Sequence, residues 1–124
     1  MEPIAIIIPT KDRFENMKRC LTNLYQVKYP RIEIVVVCDG DPENYQKLLD
    51  WREQATATDN IPLFKCFLIN HKELVKATRY GIENCRSDFF VYYNDDMMMD
   101  KNCLTIAINE FNQKFKDNIG LIGF

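Results

Sequence analysis

Four short runs, Ile4 to Pro9, Ile32 to Cys38, Leu63 to Ile69 and Phe89 to Tyr93, are rich in β-branched and aromatic side chains, with few polar interruptions. Their length and composition predict strands. A strand that is apolar along both faces needs cover on both, which parallel sheets obtain from flanking helices. Helical patterns do lie between the runs. Phe14, Met17, Leu21 and Leu24 recur at spacings of three, four and three, making one apolar stripe, and Leu104, Ala107, Ile108, Phe111 and Phe115 make another. Asp41-Pro42 opens a segment carrying Tyr45, Leu48, Leu49 and Trp51, while Leu74, Ala77, Thr78, Gly81 and Ile82 form a weaker stripe. Alternating strand and helix predicts an α/β fold, a mostly parallel sheet built from right-handed crossovers, with a last strand beginning near Ile119.

A chain of 124 residues has the size of one domain, and folding at that length buries roughly two-thirds of the surface an unfolded chain exposes. No repeat, low-complexity tract or Gly/Ser linker divides it, so residues 1–124 are expected to form one unit. With 16 Lys and Arg against 18 Asp and Glu, the net charge is -2. That balance gives no general attraction for nucleic acid or an anionic membrane, so any polyanion site must be local. No apolar run approaches the ~20 residues of a transmembrane helix. The stretch from Ile4 to Ile8 is too short for a signal-peptide core and is followed by Lys11 and Asp12. The five cysteines are odd in number and contain no C-x-x-C pair, which predicts reduced thiols in a cytoplasmic protein.

Ligands of open parallel sheets sit beyond the carboxyl ends of the strands. Here every run exits into polar residues: Pro9-Thr10-Lys11-Asp12-Arg13, Asp39-Gly40-Asp41, Asn70-His71-Lys72 and Asn94-Asp95-Asp96. Any one of these could be an ordinary cap or turn. Asn94-Asp95-Asp96 is the sharpest signal, because the strand before it should deliver the carboxylates rigidly. Mg²⁺ or Mn²⁺ takes oxygen ligands, commonly one or two carboxylates completed by phosphate oxygens and water. Lone His71 has no second His or Cys at ligand spacing and reads as a loop residue.

Taken in order, these segments resemble the opening of family 2 glycosyltransferases and their GT-A relatives, over nearly the whole chain. Ile4 through Arg13 is similar to that family's first strand and its Pro-Thr-x-Asn/Asp-Arg loop. Glu33 through Asp41 resembles the second strand, which usually ends Asp-Asp-Gly-Ser. Asn70 and Ala77-Thr78-Arg79-Tyr80-Gly81-Ile82 resemble the Asn before the third helix and the Ala-Arg-Asn-x-Gly-Ile sequence within it. Ser87 through Asp96 resembles the strand leading to the Asp-x-Asp signature. The resemblance implies a Rossmann-like GT-A fold that binds a UDP- or GDP-linked sugar with Mn²⁺ or Mg²⁺. It implies that Pro9, Thr10 and Asp12 border the base, that Asp39 accepts a hydrogen bond from it, and that Asp96 ligates the metal. Arg13, Lys76, Arg79, Asn94 and Asp95 complete the expected donor site, with Lys11 and Lys72 as further positive charges.

This chain also departs from the pattern. Asn94 stands for the first Asp of the signature, Cys38 for an Asp, Asp41 for a Ser, Lys72 for a Gly and Arg79 for an Asn. GT-A enzymes continue into an acceptor-binding region that carries the base of inverting members. Glu110 and Asp117 read as solvated helix residues, so no base is assigned. The expectation is the nucleotide-sugar-binding, N-terminal part of a longer glycosyltransferase. Two alternatives share the fold: a degenerate binding module without catalysis, and a nucleotidyltransferase, which typically has a Gly-rich loop where Pro9 to Arg13 has none.

Overall fold

The computed structural model describes residues 3–58 and 63–114. Its elements alternate: β1 (Ile4–Thr10), α1 (Phe14–Tyr25), β2 (Ile32–Asp39), α2 (Pro42–Thr58), β3 (Phe64–Ile69), α3 (Leu74–Glu83), β4 (Phe89–Tyr92) and α4 (Cys103–Lys114). The four strands form one all-parallel sheet in the order β3-β2-β1-β4. The predicted α/β fold and all four strand runs are therefore present, with small shifts at their ends. Leu63 lies outside β3 and is exposed. Tyr93 lies just past β4, but its N–H still bonds Ile7 O at 2.9 Å. Phe115, Asp117 and the strand expected near Ile119 lie outside the described residues.

Strand periodicity sorts the core into two layers. Ile4, Ile6, Ile8, Ile34, Val36 and Phe64 point to one face, against Met17, Leu21 and Leu24 of α1, Leu48 of α2 and Leu104 and Ile108 of α4. Ala5, Ile7, Val35 and Val37 point to the other, against Ala77 of α3. The expectation of full cover on both faces fails at β4. Phe90 and Tyr92 are exposed there, because α3 packs chiefly on β1 and β2 and leaves β4 largely uncovered. Leu74, placed in the third apolar stripe, is exposed as well; Ala77 and Gly81 carry the buried part of that stripe.

The helix starts follow from local chemistry. Pro42 occupies the first position of α2, where its missing N–H costs nothing. Asp41 before it accepts the N–H of Asn44 at 3.1 Å, an ordinary N-cap bond. Gly81 allows α3 to touch the sheet: a Cβ there would lie 2.6 Å from Ile7 Cγ2 and 3.3 Å from Val37 Cγ2. Gly81→Val should therefore cost about 1–3 kcal/mol by overpacking, read as a lower urea midpoint. Gly81→Ala should cost less, since better helix propensity returns about 1 kcal/mol.

Candidate functional site

In a sheet ordered β3-β2-β1-β4, the chain first winds outward from β1 to β3 and then crosses to the opposite side to lay down β4. The crevice at such a reversal is where open parallel sheets bind ligands. A cleft of about 490 Å³ occupies it, bordered by Pro9, Thr10 and Arg13, by Asp39, by Lys72 and Glu73, and by Asn94, Asp95 and Asp96. Leu74, Ala77 and Tyr92 form an apolar wall. A larger depression of about 770 Å³ lies at the opposite ends of the strands, around Glu33, Arg52 and Arg86. Size favours that one, but it faces away from the carboxyl ends. Its Lys65 and the Arg86 amide are already held by Glu33.

The Asn94–Met97 turn, closed by Met97 N–H to Asn94 O at 3.2 Å, divides the signature residues by environment. Asp95 is buried and accepts the Thr10 hydroxyl at 2.8 Å and Arg13 Nη1 at 3.3 Å. Asn94 and Asp96 are exposed in the cleft. Arg13 also approaches Asp96 at 3.7 Å, with the two side chains 52% and 59% exposed. At that exposure the pair is worth at most about 1 kcal/mol, so either partner can exchange it for a ligand. Asn23 steadies the chain beyond the turn by bonding both the N–H and the carbonyl of Met99, at 2.7 and 3.2 Å.

The other half of the cleft is organised by buried carboxylates. Asp39 accepts the N–H groups of His71 and Lys72 on Oδ1 and of Glu73 on Oδ2, each at 2.8 Å. To curl three successive amides around one carboxylate, Lys72 adopts φ 54, the left-handed region. The family's usual Gly at this place fits that geometry without strain. Gly40, at φ 71, passes beneath the Lys72 side chain. Asp41 ties the neighbouring loop through the Asp12 N–H at 2.7 Å, and Asp12 is itself left-handed at φ 54.

Burial pushes the Asp39 carboxyl up, but the amides of Lys72, Glu73 and His71 outweigh it and hold its pKa below 3.8. Asp41 is also held low: burial opposes, and the amides of Asp12 and Asn44 prevail. Behind the signature turn, burial and then the charges of Asp95 and Asp96 push the Cys20 thiol up to about 12. It is therefore no nucleophile at neutral pH.

Of the residues expected at the site, Pro9, Thr10, Arg13, Asp39, Asn94, Asp95 and Asp96 meet in the cleft. Asp12, Lys76 and Arg79 do not line it. Asp12 contributes its backbone to the loop. Lys76 reaches Glu73 at 3.6 Å and Arg79 reaches Glu83 at 2.7 Å. Arg79 follows the buried Ala77 by two residues, which on a helix of 3.6 residues per turn points it away from the sheet. Sequence reasoning missed Glu73, Leu74, Ala77 and Tyr92. Tyr92 was findable, since strand alternation sets it on the face opposite Val91 and Tyr93.

A depressed carboxyl pKa adds stability that is present above the unfolded value and lost as pH falls through the folded one. Asp39→Asn should destabilise the protein at pH 7, because an amide NH₂ would face the Glu73 N–H. The gap from wild type should shrink as pH falls below about 3.9. Urea unfolding between pH 7 and pH 2 measures it, and a gap independent of pH would contradict the assignment.

The model of the family described as Glycosyl transferase family 2 matches residues 5–122. A dolichyl N-acetyl-alpha-D-glucosaminyl phosphate 3-beta-D-2,3-diacetamido-2,3-dideoxy-beta-D-glucuronosyltransferase of Methanococcus voltae is 26% identical over 124 residues, covering 99% of this chain and 38% of that protein. An uncharacterized glycosyltransferase of Rickettsia felis is 28% identical over 115 residues, covering 89% of this chain and 17% of that protein. Among solved structures, S. aureus TarS in complex with UDP-GlcNAc superposes with a TM-score of 0.74 at 16% identity, covering 91% of this chain and 32% of that one. The mannosyltransferase PcManGT from Pyrobaculum calidifontis, in complex with GDP-Man and Mn²⁺, gives 0.76 at 18% identity, covering 89% and 32%. The chain thus spans well under half the length of these relatives. Sheet order, cleft and sequence agree on one assignment: this chain belongs to glycosyl transferase family 2 and has the GT-A fold.

Proposed function

We propose that the cleft binds a nucleotide-diphospho-sugar with Mn²⁺ or Mg²⁺, and that the chain serves as the donor-binding part of a longer glycosyltransferase. The observation that carries this reading is that Asp39 and Asp96, 57 positions apart in the sequence, border one cleft at the point where the strand order reverses. The complexes of TarS with UDP-GlcNAc and of PcManGT with GDP-Man and Mn²⁺ support a nucleotide-sugar as ligand.

The donor set fits a hard divalent cation. Asp96 offers an exposed carboxylate and Asn94 an amide oxygen, and no group of three or more His, Cys, Asp or Glu forms a metal cage among the described residues. Mg²⁺ and Mn²⁺ suit such a site, because phosphate oxygens and water fill the remaining positions. When bound, the cation would neutralise charge on the departing diphosphate. The chain's own residues do the rest. Thr10 and Arg13 fix Asp95 and so hold the turn that presents Asp96. Arg13 can turn from Asp96 to a phosphate oxygen, a charge-assisted bond that favours the leaving group. The glycosyl group moves from the diphosphate oxygen to an acceptor oxygen, whose proton must pass to a base supplied elsewhere.

The reading that keeps binding without transfer draws on Asn94, which removes a negative charge from the signature and lowers cation affinity. Calorimetric titration separates the possibilities. UDP or GDP should bind more tightly with Mn²⁺ present, and Asp96→Ala should remove that gain, a loss of tenfold or more, or about 1.4 kcal/mol. No nucleotide binding at millimolar ligand would overturn the proposal. Binding without sugar transfer by the full-length enzyme would favour the degenerate module.

A further inference from the structure

Cys38 and Cys66 stand on adjoining strands, close to the contact that organises the cleft. β2 and β3 pair with Val36 opposite Cys66 and Cys38 opposite Leu68, so the two cysteines are two residues out of step along one ladder. Strand alternation puts both on the face that carries Ile34, Val36 and Phe64, and both belong to the same packed cluster beneath α2. Both are free thiols, and they share a hydrogen bond.

Their surroundings suit them to different parts in one reaction. Cys38 is fully buried on an inner strand, and its bond to Cys66, followed by burial, raises its pKa and keeps it protonated. Cys66 is only half-buried, on the strand that forms the sheet's edge among the described residues. The bond from the Cys38 thiol and the charge of Arg52 together outweigh burial and hold the Cys66 pKa below its ordinary value. Arg52 is fixed there, with Nη1 donating to Phe64 O at 2.7 Å and its guanidinium 5.5 Å from the Phe64 ring centre. An accessible thiol that favours its charged form thus lies against a buried thiol that can resolve it.

The two strands also lead directly to the Asp39 contact. Asp39 follows Cys38 in the chain, and the amides it gathers begin at His71, five residues after Cys66. A disulfide needs Cα atoms about 4.4–6.8 Å apart. Residues two steps out of register, on strands about 4.8 Å apart with a rise of about 3.3 Å per residue, lie somewhat further than that. Closing the bond therefore draws Cys66 along β2 toward Cys38, a shift that an edge strand can make. The shift carries Ile69 and the following loop past Asp39, out of the position where three amides meet one carboxylate.

We propose that Cys66 and Cys38 form a reversible disulfide, a redox-sensitive site that loosens the Asp39 contact and weakens ligand binding in the cleft. Its effect on binding rests on the nucleotide-sugar reading above; the disulfide itself does not. A hydroperoxide is the oxidant. The Cys66 thiolate attacks one peroxide oxygen and the O–O bond breaks. The departing hydroxide takes up the proton that Cys66 had released, leaving one water and a sulfenic acid on Cys66. The Cys38 sulfur then attacks the Cys66 sulfur, the S–O bond breaks, and the Cys38 proton leaves with the hydroxide as a second water. A dithiol reverses the step by exchange.

The test treats the full chain with a small excess of hydrogen peroxide, blocks the remaining thiols and maps the peptides by mass spectrometry. Wild type should lose two hydrogens in one Cys38–Cys66 crosslink. The His71, Lys72 and Glu73 amides should then exchange with deuterated solvent at least roughly tenfold faster. UDP or GDP should bind, with Mn²⁺ in excess, at least about threefold more weakly by calorimetry. Dithiothreitol should restore all three. In Cys66→Ser and in Cys38→Ala no crosslink should form, and peroxide should leave amide exchange and binding within about twofold. Cys66→Ser changes a half-buried edge position, so it keeps the test open if Cys38→Ala folds poorly. Three outcomes would overturn the proposal: Cys66 joined to another cysteine or halted at the sulfenic acid, a crosslink with unchanged exchange at residues 71–73, or an equal loss of binding in Cys66→Ser. A crosslink with faster exchange in a chain that binds neither nucleotide would support the redox site and overturn the nucleotide-sugar reading.

Discussion

The Asp39 carboxylate, gathering three consecutive amides from the loop after the neighbouring strand β3, is the contact on which the cleft depends. Those amides lead into α3, so a charge at the end of β2 both satisfies the open N-cap amide of Glu73 and complements the helix dipole. Without it, the loop would have to hydrogen-bond its own amides and Lys72 would have no reason to be left-handed. The same contact sets where α3 enters, and therefore where Ala77 meets the sheet and where the apolar wall of Leu74 and Ala77 stands.

The acidic residues around the cleft divide into holders and presenters. Asp39, Asp41 and Asp95 are buried, each with two or more donors of which at least one comes from another segment, and they fix loop to loop. Asp96 is exposed, with Arg13 as its one weak ion-pair partner among the described residues. A carboxylate most of whose lone pairs are taken by amides or a hydroxyl has little left for a cation, whereas one facing solvent can take a cation at small cost. Adjacent residues thus serve opposite ends: Asp95 is rigid so that Asp96 can be available. This holder-and-presenter division also explains why no ready-made metal cage appears among the described residues.

Much of the fold could be read from the sequence. Near-continuous apolar runs announced a parallel sheet, and helix stripes such as Met17, Leu21 and Leu24 named the buried faces correctly. The local patterns could not report coverage. Phe90 and Tyr92 look as buried in the sequence as Ile6 and Ile8, and only the placement of α3 over β1 and β2 leaves them exposed. At the cleft, motif residues at strand ends were legible because topology alone carries them there. Lys76 and Arg79 were not, because helix phase decides which way a cation points, and here both found carboxylates on their own helix or at its cap. The strained Lys72 showed in the sequence only as a departure from a glycine pattern; the three amides around Asp39 supply the reason that glycine is usual.

Two departures from the family pattern act on the cleft in the same direction. Asn94 removes a negative charge at the β4 end, and Lys72 adds a positive one at the β2–β3 end. The cleft is therefore more favourable to an anionic ligand and less favourable to a free cation than the usual pattern would make it. A metal that arrives already bound to a diphosphate avoids that penalty, since the pair is anionic overall and brings its own oxygens. Arg79, the third added charge, changes neither balance, because it is paired with Glu83 away from the cleft. On the proposed nucleotide-sugar reading, the electrostatics favour ligand and cation entering together over a cation site prepared in advance, which is the arrangement that an exposed Asp96 beside an amide can support.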